Sequence, residues 1–348
     1  MTTAVITDTW FDNESPALRH CWHPVARASD LDDGGPMSVE LLGEHWCVVR
    51  LGDELAGFAD ECPHRLSPLS AGAIVGDTIR CGYHGFRFRA DGTCVEIPAV
   101  DASLPIPSRA NCRPAGGVTE RYGLIWLAPE EPLVPLPDVP EHDDPAFVPC
   151  PLPPSDWNAG AAQMADNFLD LGHLPFLHVG TFGEEDDKVV SDYTLERHGW
   201  TFHARHRHQT KALADSLGPE AGYHTVEREN YFVFTPPHHV YLRITYFEEN
   251  VVLTISFCHQ PVNATTTRLY CTDYRNDIRN DADRARAVEF QAAVAAEDKA
   301  MLQRMHRKGI PLDITAEYHS RADRITVEMR RVLSQLVEEA GRVRVTST

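Results

Sequence analysis

The sequence is short of positive charge. Its 32 Lys and Arg stand against 51 Asp and Glu, a formal net charge of −19 over 348 residues. Such an excess repels nucleic acid and anionic membrane surfaces and argues against both as partners. Long hydrophobic runs are missing too. Nothing approaches the ~18–20 apolar residues of a membrane span, and the stretch around Tyr122–Pro129 is among the longest. The opening MTTAVITDTWFDNE lacks the bases of a signal peptide, so a cytoplasmic location is expected. A disulfide pattern is absent as well: the nine cysteines are odd in number and scattered, which suits reduced thiols or metal ligands. What the chain has in quantity is histidine, 18 of them, and the question becomes which stand at ligand spacing.

The length supports two domains. The composition breaks between Pro129 and Pro154, where ten of 26 residues are proline. Proline denies helix and central strand alike, which predicts an extended connector over 129–154. Before it, segments such as MSVELLGEHWCVVRLGDELAGFAD alternate apolar and polar residues around turns, as short strands do. After it, the pattern predicts a helix from Asp156 to about His173, then long antiparallel strands through Tyr231–Val262 and Thr265–Asp277, then two helices. An all-β domain followed by an α+β domain with an antiparallel sheet flanked by helices is the expected architecture.

Two constellations carry chemistry. Cys62 and His64 are followed by Cys81 and His84, so two short loops each offer one thiolate and one imidazole. Zinc accepts both ligand types. A Rieske 2Fe–2S cluster takes two cysteines on one iron and two histidines on the other, and the C-x-H…C-x-x-H spacing, with Gly82 and Gly85 beside the ligands, favours that second reading. The second constellation is Asn167-Phe-Leu-Asp170-Leu-Gly-His173-Leu-Pro-Phe-Leu-His178. At helical spacing Asn167, Asp170 and His173 share a face. His173 and His178 would point about 140° apart on a straight helix, but Pro175 forces a bend that lets both rings converge. Two histidines need a carboxylate to complete the face of a non-haem Fe(II) site. On the helix AVEFQAAVAAEDKAMLQRM, Asp298 falls within an arc of Phe290, Val294, Met301 and Met305, whereas Glu297 lies on its edge. An acid centred on an apolar arc is costly unless paired or metal-bound, so Asp298 is the candidate and Glu297 the fallback.

These segments, together with RHCWHPVA and ERYGLIW, resemble the oxygenase component of Rieske non-haem iron oxygenases, and among them the demethylase-type monooxygenases of caffeine, dicamba and vanillate. The resemblance covers nearly the whole chain. It implies an N-terminal segment over 1–38 packing on the catalytic domain, a Rieske domain over 39–128 and a catalytic non-haem iron domain over 155–348. It also implies Cys62, His64, Cys81 and His84 as cluster ligands, and His173, His178 and Asp298 as iron ligands. Asp170 would be a bridging carboxylate and Asn167 a neighbour of the iron. The implied activity is monooxygenation of a small aromatic or heterocyclic substrate with O2, by oxidative N- or O-demethylation or by hydroxylation. Electrons would come from NAD(P)H only indirectly, through a partner ferredoxin or flavin reductase, and the assembly would be a homotrimer. The usual CPYHGW of the family reads CGYHGF here, with Gly82 and Phe86 in place of proline and tryptophan.

Alternatives of other kinds are ring dihydroxylation or C–H hydroxylation by the same machinery, a pure Rieske electron carrier, and a zinc-binding module. Further expectations come from the residues themselves. Arg65, Arg80, Arg87 and Arg89 surround the cluster loops in an acidic chain, as a collar for an acidic reductase would. Phe232, Phe234, Ile244, Ile255 and Phe257 are candidate pocket contacts. His238 and His239 read as an exposed turn, His203 to Gln209 as a solvated strand face, and His20 and His23 as structural.

Overall fold

The computed structural model describes residues 10–31, 34–179, 181, 188–211 and 225–346. The first nine residues, on which part of the expected absence of a leader rests, lie outside them. The chain forms two compact units, one of residues 16–134 with 260–264, the other of the remainder. No helix among the described residues is long and apolar enough to cross a membrane.

Strand β1 (Trp10–Asp12) belongs to the second unit, and the first unit follows it. Its strands are β2 (His23–Arg27), β3 (Met37–Leu41), β4 (Glu44–Leu51), β5 (Glu54–Ala59), β6 (Ala73–Val75), β7 (Thr78–Arg80), β8 (Arg87–Phe88), β9 (Cys94–Glu96), β10 (Gly117–Arg121) and β11 (Leu124–Ala128). They pair as three antiparallel sheets, in the orders β10-β11-β2, β3-β4-β5 and β6-β7-β8-β9. The turn Tyr122-Gly123 shows how the hairpins close: both residues have positive φ, 59° and 69°. Two successive left-handed residues match the twist of the strands they join. Of the segment expected over 1–38, β1 lies in the second unit, where it pairs with Gly309–Pro311. Residues 16–38 belong to the first unit, because β2 pairs with β11 and because Val25, Ala26 and Leu31 share one buried cluster with Trp46 and Ile125.

The second unit is built on an eight-stranded antiparallel sheet. Its strands are β12 (Val148–Pro151), β13 (Ser155–Trp157), β14 (Thr194–His198), β15 (Thr201–Lys211), β16 (Thr225–Thr235), β17 (His239–Tyr246), β18 (Val251–Pro261) and β19 (Thr267–Arg275). The order is β12-β19-β18-β17-β16-β15-β14, with β13 also on β19. The proline-rich stretch is therefore not wholly a connector: Val148–Pro151 is an edge strand, where proline's missing N–H costs no ladder bond. The predicted long helix is also shorter than expected. Residues 155–157 are strand, helix α1 runs Ala161–Leu169, and a separate α2 spans Leu174–Leu177. Helix α3 (Asp281–Leu302), strand β20 (Gly309–Pro311), which pairs with β1, and helix α4 (Arg324–Thr346) complete the unit. Arg330 on α4 is 2% exposed and grips Asp166 of α1 through two bonds of 2.7 and 3.0 Å, with Glu317 at 2.8 Å. That pairing fixes the helix that leads into Asp170, His173 and His178.

Candidate metal centres

The first candidate centre sits on two loops of the first unit. Each is closed by backbone bonds: Leu66 N–H donates to Cys62 O at 2.8 Å, and Gly85 N–H to Cys81 O at 3.1 Å. Both thiols are buried in a core with Ile79 and Phe88, whereas His64 and His84 face solvent with ring centroids 4.4 Å apart. His64 also stacks on Phe86 at 4.7 Å, so the residue that replaces the family's tryptophan supports a candidate ligand. Gly82 is required by close approach, since a Cβ there would lie 2.7 Å from Ala71 O. Burial pushes the Cys62 thiol up to about 11; the His64 N–H works the other way, and Cys81 adds to the rise. His64 is lowered by desolvation, then by His84 and Arg65. Two buried thiols on the inside and two imidazoles on the outside form a donor set that fits a 2Fe–2S cluster with unlike irons. Arg65, Arg80 and Arg89 are exposed nearby. Arg87 is not part of a free collar: it bonds Thr78, Val75 O and Glu96 within its own sheet.

The second candidate centre is in the second unit. Helix α1 ends at Leu169, and Asp170 follows with extended backbone (φ −82°, ψ 132°). The shared helix face expected for Asn167, Asp170 and His173 therefore does not exist. Asp170 ends the helix by taking the N–H groups of Gly172 and His173, at 2.9 and 3.0 Å. Pro175 does not bend a continuing helix; it sits in the first turn of the new α2, where its missing N–H is harmless. The outcome is convergence of the rings by another route. His173 Nδ1–H donates to Asp170 Oδ2 at 3.2 Å, and His178 Nδ1–H donates to Glu297 Oε2 at 2.9 Å. Thr181 Oγ1–H donates to the same Glu297 oxygen at 2.8 Å.

Each carboxylate fixes a tautomer, which leaves the lone pair of each Nε2 pointing inward. The two Nε2 atoms face each other at 3.2 Å, and Asp298 Oδ1 lies 3.6 and 3.3 Å from them. Three acceptors that converge with no donor between them suit a cation, and the two-histidine, one-carboxylate set fits a non-haem iron. Burial opposes a charged His178, yet Asp298 and Glu297 raise its pKa above the usual value, so the site favours positive charge here. Burial likewise opposes an ionised Asp170, but His173 and the Gly172 N–H hold it low. Asn167 Nδ2 donates to Asp298 Oδ1 at 2.8 Å and orients that carboxylate. Asp298 is 3% exposed on a buried stripe with Ala287, Gln291, Val294 and Leu302; Met301 and Met305, expected in its arc, are exposed.

The three donors share the lining of one cavity with Phe168, Phe232, Ile244, Ile255 and Phe257 among others. Phe168 stacks on Phe257 at 4.2 Å. Phe234 is not a lining residue; it is fully buried and stacks on Phe202. His238 and His239, expected to be exposed, are buried at 1% and 5%, because the turn that carries them packs against Phe11 and the sheet. His206 is buried too and bonds Ser191, so only part of the 203–209 face is solvated. His20 and His23 are structural, each bonded to a backbone carbonyl. Sequence reasoning missed the role of Glu297 and three polar residues of the cavity, Arg228, Asn230 and Gln291. The period-two alternation through Phe232 already placed the first two on its face.

Comparison with known proteins agrees with this geometry. Residues 21–112 match the Rieske [2Fe-2S] domain, and residues 157–339 match the vanillate O-demethylase oxygenase C-terminal domain. Methylxanthine N1-demethylase NdmA of Pseudomonas putida is 27% identical over 345 residues, covering 97% of this chain and 93% of that protein. The oxygenase component of dicamba O-demethylase from Stenotrophomonas maltophilia is 30% identical over 173 residues, 46% of this chain and 48% of that one. The structure of NdmA with caffeine superposes with a TM-score of 0.80 at 27% identity, covering 94% and 93% of the two chains. Dicamba monooxygenase bound to dicamba shares the fold, with a TM-score of 0.77 at 22% identity over 93% and 99%. The C-terminal match alone spans more than half of the chain, and it follows a 2Fe–2S domain in the expected order; the chain belongs to the vanillate O-demethylase oxygenase family, the Rieske oxygenases with a 2Fe–2S cluster and a mononuclear iron.

Proposed function

We propose that this chain is the terminal oxygenase of a demethylating system. It takes O2, and electrons that start on NAD(P)H and arrive through a separate ferredoxin or flavin reductase, and oxidises an N- or O-methyl group of a small aromatic or heterocyclic substrate. The observation that carries this reading is the largely apolar cavity whose lining includes His173, His178 and Asp298.

Cys62, His64, Cys81 and His84 would hold the cluster, and His173, His178 and Asp298 the Fe(II). When bound, the cluster supplies single electrons and the iron activates O2. The chain's own residues do the rest. Asp170 and Glu297 keep both imidazoles in the inward-pointing tautomer, and Asn167 holds Asp298 at its angle. Phe168, Phe257 and the alternating apolar residues of β16–β18 hold a flat ring and keep water from the reacting end. In a homotrimer, Asp170 would also accept from a cluster histidine of a neighbouring subunit. This suits a side chain that keeps about a quarter of its surface exposed while one of its oxygens already bonds His173. Exposed Arg65, Arg80 and Arg89 give an acidic reductase a landing face in an otherwise acidic, cytoplasmic protein.

The test is a product screen with a surrogate reductase and methoxy- or N-methyl-substituted rings. Formaldehyde released in step with O2 uptake supports demethylation. A hydroxylated product without formaldehyde points to hydroxylation or ring dihydroxylation, and no O2 uptake by metal-loaded protein sinks the oxygenase reading. Asp170→Asn is expected to keep both metals and lose turnover; full turnover with intact metal content removes the bridge.

A further inference from the structure

The cavity is apolar along most of its length, which makes its polar exceptions informative. Arg228 and Asn230 stand on β16 on the same face as Phe232, and Gln291 looks in from α3. Asn230 and Gln291 are only 3% and 4% exposed. Arg228 Nε and Asn230 Oδ1 are out of solvent and have no hydrogen-bond partner among the described residues. Burying such groups unpaired costs free energy, and a native site that does so is holding them for something else.

The charge argument points the same way. Arg228 is permanently cationic. Its strand neighbours Glu227 and Glu229 face the other side and pair with Arg207 and Arg205, at 2.6 and 3.0 Å. Its partner across the ladder, His208, is neutral, pushed down to about 4 by burial and then by Arg228 itself. The two acids of the cavity, Asp170 and Asp298, are engaged by His173 and by Asn167 with both rings. Among the described residues, no carboxylate is left for Arg228.

We infer that Arg228 anchors an anionic group of the substrate, which makes the substrate class small aromatic or heteroaromatic carboxylates, with the amides of Asn230 and Gln291 completing the recognition. This rests on reading the cavity as an oxygenase site. Position supports it. Arg228, Asn230 and Gln291 line the same cavity as His173, His178 and Asp298, and Gln291 precedes Asp298 by seven residues, ~10 Å along α3. A carboxylate held by Arg228 leaves the ring in the apolar part of the cavity that the metal donors share. An uncharged ring fills the apolar part but leaves Arg228 Nε and Asn230 Oδ1 unpaired.

The test is anaerobic calorimetric titration of the iron- and cluster-loaded protein with benzoate, 4-methoxybenzoate and phenylacetate, each against its primary amide. Wild type is expected to bind the acids about 10- to 100-fold more tightly than the amides. Arg228→Gln should abolish that preference, and Arg228→Lys should restore part of it. Equal or tighter binding of the amides, no binding of either series, or a preference that survives Arg228→Gln overturns the inference. Iron content, cluster absorbance and O2 uptake measured on the same samples separate the two readings. Absent metals or absent uptake would sink the oxygenase reading, whereas intact metals and uptake without a preference for acids would sink only the anchor.

Discussion

Glu297 and Asp298 are adjacent acids on α3, and their different positions predict different losses when each is removed. Asp298 Oδ1 lies on the Nε2 side of both imidazoles, where the cation belongs, whereas Glu297 Oε2 lies on the Nδ1 side of His178. Asp298→Ala removes one of three donors and is expected to leave no retained iron. Glu297→Ala removes a carboxylate that orients one donor, a loss of ~10- to 100-fold in metal affinity, or about 1.4–2.7 kcal/mol. Glu297→Gln keeps an oxygen that can accept from His178 Nδ1–H and from Thr181, so it should lie between Glu297→Ala and wild type, because a neutral acceptor is worth roughly half a charged one. The assay is a chelator titration with iron measured per chain. The visible absorption of the cluster, bound in the other unit, reports whether each variant is folded. Retention of iron by Asp298→Ala together with its complete loss from Glu297→Ala would reverse the assignment and refute the argument from tautomers.

Three further perturbations test the frame around the two centres. Arg330→Met leaves Asp166 without its bidentate partner and should cost about 3 kcal/mol, a fall in Tm of roughly 6–12 °C; failure of a second change, Asp166→Asn, to recover any of it would show that the pair is not the cause. Asp273 is 1% exposed, has no hydrogen-bond partner for its Oδ1 among the described residues, and is raised by burial from 3.8 to about 8, with Arg275 opposing. A raised carboxyl favours the folded state fully only below its unfolded pKa. Its contribution therefore declines as pH rises towards 8, by up to about 4 kcal/mol between pH 5 and 8. Asp273→Asn should flatten that part of a denaturant-stability profile, and an unchanged slope would assign it to other groups. Gly82→Ala places a Cβ against Ala71 O, so the loop must shift at a cost of about 1–3 kcal/mol; cluster absorbance per chain should fall, and an unaltered spectrum would mean that the loop yields freely.

What the sequence revealed depended on how far apart the cooperating residues stand. Cys62 with His64, Cys81 with His84, and His173 with His178 are each within a few residues, so their spacing carried the chemistry directly. Asp298 was legible for a partly wrong reason. Met301 and Met305 proved exposed, but Val294 and Leu302, each four residues away, define a buried stripe on which Asp298 alone of the two acids falls. Asp170 defeated periodicity because every third residue looks helical, and nothing in that count registers a carboxylate that takes the next N–H groups and stops the helix. The histidines at 238 and 239 failed for the opposite reason: a turn was equated with exposure, though this one packs against Phe11. Arg228 and Asn230 follow from a rule that was available and only half applied. Once Phe232 is placed on the cavity face, period two puts residues 230 and 228 beside it whatever their polarity. A search for apolar contacts discards the polar positions of that face, and in a pocket that must distinguish one ring from another those are the positions that decide.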